Sequence, residues 1–84
     1  MTAHQYQYTV LFEPSEGGYI VTCPSLPDLV TEGDTLGEAR AMAADAIRGY
    51  LEVLSKDGLP IPPEDAYPRA SIIAEIIAVA IEEA

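Results

Sequence analysis

Few side chains in this sequence are of types that make or break bonds. Cys23 is the one cysteine and His4 the one histidine. A thiol nucleophile needs a base and an electropositive setting, whereas Cys23 stands among apolar neighbours. A structural role is expected for it, and a lone cysteine forms no internal disulfide. His4 lies in a terminal segment expected to fray, and a zinc site takes three or four ligands. Glu16-Gly17-Gly18 has neither the following helix nor the lysine of a phosphate loop. Tyr6, Tyr8 and Tyr19 could stack on bases, but without a basic groove they are expected in the core and at an interface. The distinctive chemistry is charge: fourteen acidic residues against four basic ones, a formal net charge of −10. Such a surface repels phosphate backbones and anionic membranes and attracts a basic protein. Glu13, Glu16, Asp28, Glu32 and Asp34 fall at strand ends and in loops. They are expected either to form an acidic rim for a basic partner or to be simply solvated.

The element that must position these groups is a long helix. Thr35 and Glu38 have the T-x-x-E spacing of a capping box, and Gly33-Asp34 before them reads as a turn. Asp34 and Glu38 also suit the positive end of the helix dipole. Leu36, Ala39, Ala43, Ala46, Ile47, Tyr50, Leu51 and Leu54 then recur at spacings of three and four, one apolar stripe. Gly58 and Pro60 end the run, giving a helix over about 35–57, roughly 33 Å long.

An oily stripe of that length needs a cover. Residues 5–13 alternate, with Tyr6, Tyr8, Val10 and Phe12 on one face, and read as a strand. Pro14 to Gly18 is a hairpin connection, 19–23 the return strand and 29–32 a short third strand. Residues 59–68 are too rich in proline for a helix or central strand and read as an extended connector that can carry the chain back along the helix. From Ala70 onward, Ile72, Ile73, Ile76, Ile77, Ala80 and Ile81 fit a helical face, yet the β-branched content equally fits a buried strand. Periodicity leaves both open.

At 84 residues the chain is expected to form one domain. It has no apolar run of 18 residues, and its first residues lack a signal-peptide pattern, so a soluble cytoplasmic protein is expected.

In order, Tyr8-Thr9-Val10-Leu11-Phe12-Glu13, Glu16-Gly17-Gly18-Tyr19-Ile20-Val21, Pro24-Ser25-Leu26-Pro27, Thr31-Glu32-Gly33-Asp34-Thr35 and Glu38-Ala39 resemble the HicB-like antitoxin family. The likeness continues through Ala46-Ile47, Tyr50-Leu51, Gly58 and Ile61-Pro62. No single piece is specific; the ordered set at these spacings is. The resemblance implies an α+β fold of order β-β-β-α-β, a trimmed relative of the RNase H topology. The tail, about 70–81, then becomes a fourth strand beside the first. It also implies a role in binding and neutralising a small basic toxin, HicA, which resembles a double-stranded-RNA-binding domain and cleaves mRNA. An antitoxin of this kind needs no cofactor and is not an enzyme. The alternative is a stand-alone scaffold domain that self-associates without a toxin.

Two departures bear on the carry-over. Many family members have Gly-Cys after the Leu-Pro, where this chain has Asp28-Leu29. Many also carry a C-terminal operator-binding domain, whereas this chain ends after the fourth strand, so no direct nucleic-acid binding is expected of it. As a strand, the tail places Ile73, Ile77, Val79 and Ile81 on one face, an expected homo-oligomer surface. The RNase H likeness further raises a divalent-metal nuclease, with Glu13, Asp45 and Glu75 as candidate ligands by segment. Such a site needs several acids to converge, and no aspartate lies inside the first strand.

Overall fold

Alternating apolar and polar residues form the strands wherever a partner strand is within reach. A computed structural model describes residues 2–64 and 73–83. In chain order the elements are β1 (Thr2–Ser15), β2 (Gly18–Thr22), β3 (Val30–Gly33), α1 (Leu36–Lys56) and β4 (Ile73–Glu83). The four strands make one sheet in the order β3-β2-β1-β4, antiparallel at every pairing. The tail is therefore a strand and the family topology holds. Residues 65–68 of the expected connector and 70–72 of the expected last strand lie outside the described residues.

β1 is longer than alternation alone indicates because β4 pairs with it from Thr2↔Glu83 to Phe12↔Ile73. Its hairpin with β2 closes at Ser15↔Gly18, leaving a two-residue loop. Glu16 and Gly17 both take positive φ, 37° and 84°, the pattern of a type I′ turn, whose twist matches the flanking strands. Gly18 belongs to the strand rather than the loop. Pro14 pairs with Tyr19 next to the closing pair, so its missing N–H faces away from β2 and the β1–β2 ladder loses no bond.

One face of the sheet takes the helix. Tyr8, Val10, Phe12, Val21, Val79 and Ile81 meet Ala39, Ala43, Ile47 and Leu51 in a single core, which Cys23, Leu26 and Leu29 extend. Sheet and helix come close together at the start of α1. A Cβ on Gly33 would lie 2.5 Å from the Ala39 nitrogen and 2.7 Å from its Cα. Only glycine at position 33 permits that spacing. Further along the helix, Ile47 and Leu51 are fully buried in the same core.

The cap forms with one difference from the expected box. Thr35 Oγ1 accepts from the Glu38 N–H at 3.0 Å, but the Glu38 carboxylate accepts from the Asp34 N–H at 2.8 Å instead of from Thr35's own. At the other end Gly58 takes φ 71°. Leu59 N–H donates to the Leu54 carbonyl and Gly58 N–H to that of Ser55, a Schellman closure. Thr35→Ala is expected to cost about 1 kcal/mol, read as a lower urea midpoint with unchanged slope.

Antiparallel pairing of β4 with β1 sends β4 opposite to β3, so the chain leaving α1 must first travel back. Tyr8 Oη donates to the Pro62 carbonyl at 2.7 Å, and the Gln7 N–H donates to Glu64 Oε1 at 2.7 Å. These bonds hold the first part of the connector where β2, which pairs only with 11–15, leaves β1 uncovered.

Candidate partner-binding surface

The pairing Tyr19↔Gly33 brings the hairpin loop beside the start of α1. Glu16, Glu32 and Asp34 there line one depression with Ser15, Gly18, Tyr19 and Ile20. In the same corner, the register Glu13↔Ile20↔Glu32 puts two carboxylates either side of Ile20 on the sheet face away from the helix. Ile20 is 37% exposed. All the rim acids are exposed. The fold thus gathers Glu13, Glu16, Glu32 and Asp34 around an apolar point, an arrangement complementary to a basic surface with an apolar contact at its centre.

Asp28 is not part of this corner. It sits in the β2–β3 connection, beyond the Thr22↔Val30 pair at the other end of the β2–β3 ladder. Two successive turns form there, with Leu26 N–H donating to the Cys23 carbonyl and Leu29 N–H to that of Leu26. They turn Leu26 and Leu29 into the core. In the second turn Pro27 is followed by Asp28 at φ 70°, the place where a type II turn favours glycine. This accounts for the Asp28-Leu29 departure: the backbone here still has the shape a glycine prefers. Asp28→Gly is expected to stabilise the fold by roughly 0.5–1 kcal/mol through relief of the left-handed strain, measured by urea denaturation.

The open sheet face carries apolar groups that alternation did not mark as special: Ile20, Val30 (66% exposed) and Ile76 (54%). Thr9 and Leu11 on the same face are buried among cross-strand neighbours. The expected oligomer face is corrected. Val79 and Ile81 are 2% and 3% exposed and, with half-buried Ile77, pack in the helix-side core. They are not free to meet a second subunit. The side chain of Ile73 lies outside the described residues. On β4 the outward face belongs to Ala74, Ile76, Ala78 and Ala80.

Cys23 is 3% exposed in the core. His4 is exposed and meets the Tyr6 ring edge-on, with centroids 6.3 Å apart. Glu13, Asp45 and Glu75 do not converge. Asp45 pairs with Arg48 on the helix at 2.7 Å. Glu75 accepts from Nε and Nη2 of the Arg40 guanidinium at 2.7–3.0 Å. Among the described residues, no group of three or more His, Cys, Asp or Glu is placed to hold a metal ion.

The Arg40–Glu75 fork fastens the N-terminal part of α1 to β4. Hydrogen bonding to Arg40 holds the Glu75 carboxyl below the usual glutamate range, against a smaller opposing push from burial. A carboxylate with a lowered folded pKa stabilises the fold above its unfolded value, about 4.3, and that contribution is lost as pH falls through the folded value. Glu75→Gln is therefore expected to flatten the acid limb of the melting temperature against pH profile below about pH 4.3, leaving its slope near neutrality unchanged.

Residues 8–79 match the family described as HicB_like antitoxin of bacterial toxin-antitoxin systems. The chain belongs to the HicB-like antitoxin family. A UPF0150 protein of Synechocystis sp. is 43% identical over 61 residues, covering 71% of this chain and 77% of that one. Antitoxin HicB 1 of Photorhabdus laumondii is 44% identical over 57 residues, 67% of this chain and 37% of that one. This HicB-like chain thus spans well under half the length of that named antitoxin. A chain of a toxin-antitoxin complex from Streptococcus pneumoniae shares the fold at TM-score 0.70. It is 14% identical, covering 93% of this chain and 69% of that one. Among the described residues no helix is long and apolar enough to cross a membrane.

Proposed function

We propose that this HicB-like chain neutralises a toxin of the HicA type, a small basic mRNA-cleaving protein, by covering its RNA-binding surface. The observation that carries this reading is the gathering of Glu13, Glu16, Glu32 and Asp34 around exposed Ile20, in a family member with a net charge of −10. The carboxylates draw a cationic RNA-binding surface in and fix its register, while Ile20 supplies a desolvated contact. The chain acts in the cytoplasm, where mRNA is the toxin's substrate. It works without a cofactor and without catalysis of its own, makes no contact with nucleic acid or membrane, and self-associates.

The test is recovery of a small basic protein with the tagged chain from lysate of its own source. Expected is one stoichiometric complex whose formation suppresses mRNA cleavage. The Glu13→Lys/Glu32→Lys variant is expected to bind at least tenfold more weakly, with the loss falling mainly on the association rate. Absence of any complex with the wild-type chain overturns the reading. A complex indifferent to the charge reversals removes this corner from it.

A further inference from the structure

The two edges of the sheet are built differently. β3 is four residues long and carries Glu32, the short, charged kind of edge that resists strand addition. β4 is eleven residues long. It has no proline, glycine or lysine, and its central run Ile76-Ile77-Ala78-Val79-Ala80-Ile81 is uncharged. Among the described residues no strand lies outside it. Ile76, Ala78 and Ala80 along it are exposed. A long, regular, uncharged edge of this kind is a template for pairing with another strand.

We propose that β4 pairs antiparallel with β4 of a second copy, joining two four-stranded sheets into one continuous sheet with both helices on the same side. The strand's own residue order selects this occupant. A two-fold axis normal to the sheet keeps facing residues on a common face, so only registers that pair even positions with even ones are allowed. The one register that pairs all eleven residues puts Ala78 of one copy opposite Ala78 of the other. Bulky Ile76 then faces small Ala80, Ile77 faces Val79, and Glu75 faces Ile81, so no two carboxylates oppose each other. Sliding by one allowed step in either direction leaves two residues of each strand unpaired. The pairing uses an edge distant from the acidic corner and does not rest on the toxin reading.

Sedimentation equilibrium of the chain alone is expected to give twice the 9.0 kDa of one copy. Ala78→Lys places two like charges across the axis and is expected to give a monomer with the wild-type circular dichroism spectrum. Ile20→Lys, on the open face away from β4, is expected to leave the dimer intact; dissociation by it would mean that sheet faces stack, and would overturn edge pairing. Facing Cα atoms in an antiparallel ladder lie about 4.5–5.5 Å apart, within disulfide reach. Ala78→Cys is therefore expected to cross-link to its copy under mild oxidation. Ile76→Cys is expected to do so only when combined with Ala80→Cys. If Ala78→Lys fails to fold, these cross-links decide the matter. A monomeric wild-type chain, or a dimer that Ala78→Lys leaves unchanged and Ala78→Cys fails to cross-link, overturns the proposal. A monomer whose Ala78→Lys variant loses toxin binding assigns the edge to the toxin and equally overturns it.

Discussion

Gly33→Ala is expected to cost on the order of 3 kcal/mol, lowering the melting temperature by about 12–24 °C for a domain of this size. The added methyl would stand 2.5 Å from the Ala39 nitrogen, 2.7 Å from its Cα and 3.0 Å from the Glu38 carbonyl carbon. All three are backbone atoms, so no side-chain rotation relieves the contact. Nor can the helix simply withdraw. The Ala39 N–H donates to the Thr35 carbonyl at 2.8 Å, and the next residue, Arg40, is fastened to Glu75. Moving this turn therefore opens the cap or strains the fork to β4. Thermal and urea unfolding of Gly33→Ala measure the effect; a midpoint within 0.5 kcal/mol of wild type, roughly the scatter of a neutral surface change, would mean that β3 and α1 do not meet at this distance.

Phe12→Ala is expected to cost about 3–5 kcal/mol. Phe12 is the chain's single phenylalanine and is fully buried. It sits where the sheet is continuous, paired with Val21 on β2 and with Ile73 on β4. Few backbone shifts can close the resulting cavity, because both neighbouring strands are hydrogen-bonded to the one that carries it. Against the 5–15 kcal/mol that holds a typical domain together, the loss approaches complete unfolding. Phe12→Leu keeps most of the volume and is expected to cost less than about 1.5 kcal/mol. Equal midpoints for the two variants would mean that the site collapses freely.

Features whose cause is local could be read directly. The alternation of Tyr6, Tyr8, Val10 and Phe12 against the residues between them separated the two faces of β1, since one strand's period is enough for that. Thr35 and Glu38 marked the start of α1 and Gly58 its end, because caps are satisfied within a few residues. The two-residue turn was harder to place. Glu16 rather than Gly18 takes the second positive φ, and only the closing pair Ser15↔Gly18 shows this.

The tail is the clearest limit. Its isoleucines suit a helix by spacing and a strand by branching, and the choice depends on β1 presenting an edge to pair with. The same pairing decides which side faces inward. Val79 and Ile81 go to the core because they lie opposite Tyr6 and His4 on the helix-facing side of β1, and the outward side falls to Ile76 and the alanines. A one-residue slip would have reversed this. The acidic corner was legible as a set of residue types but not as a group. Asp28 falls away from it because β2 carries the chain to the other end of the β2–β3 ladder before that loop begins, and Glu75 is held by Arg40, which is 35 positions earlier in the chain.

By itself, then, the sequence determined the elements with their caps, the excess of negative charge and the family, since each of these is a sum or a pattern over neighbouring residues. The tertiary structure decided the fate of the tail, which apolar residues are covered and which carboxylates share a corner. Those depend on strand register and on the antiparallel return of β4, set by contacts between residues far apart in the chain.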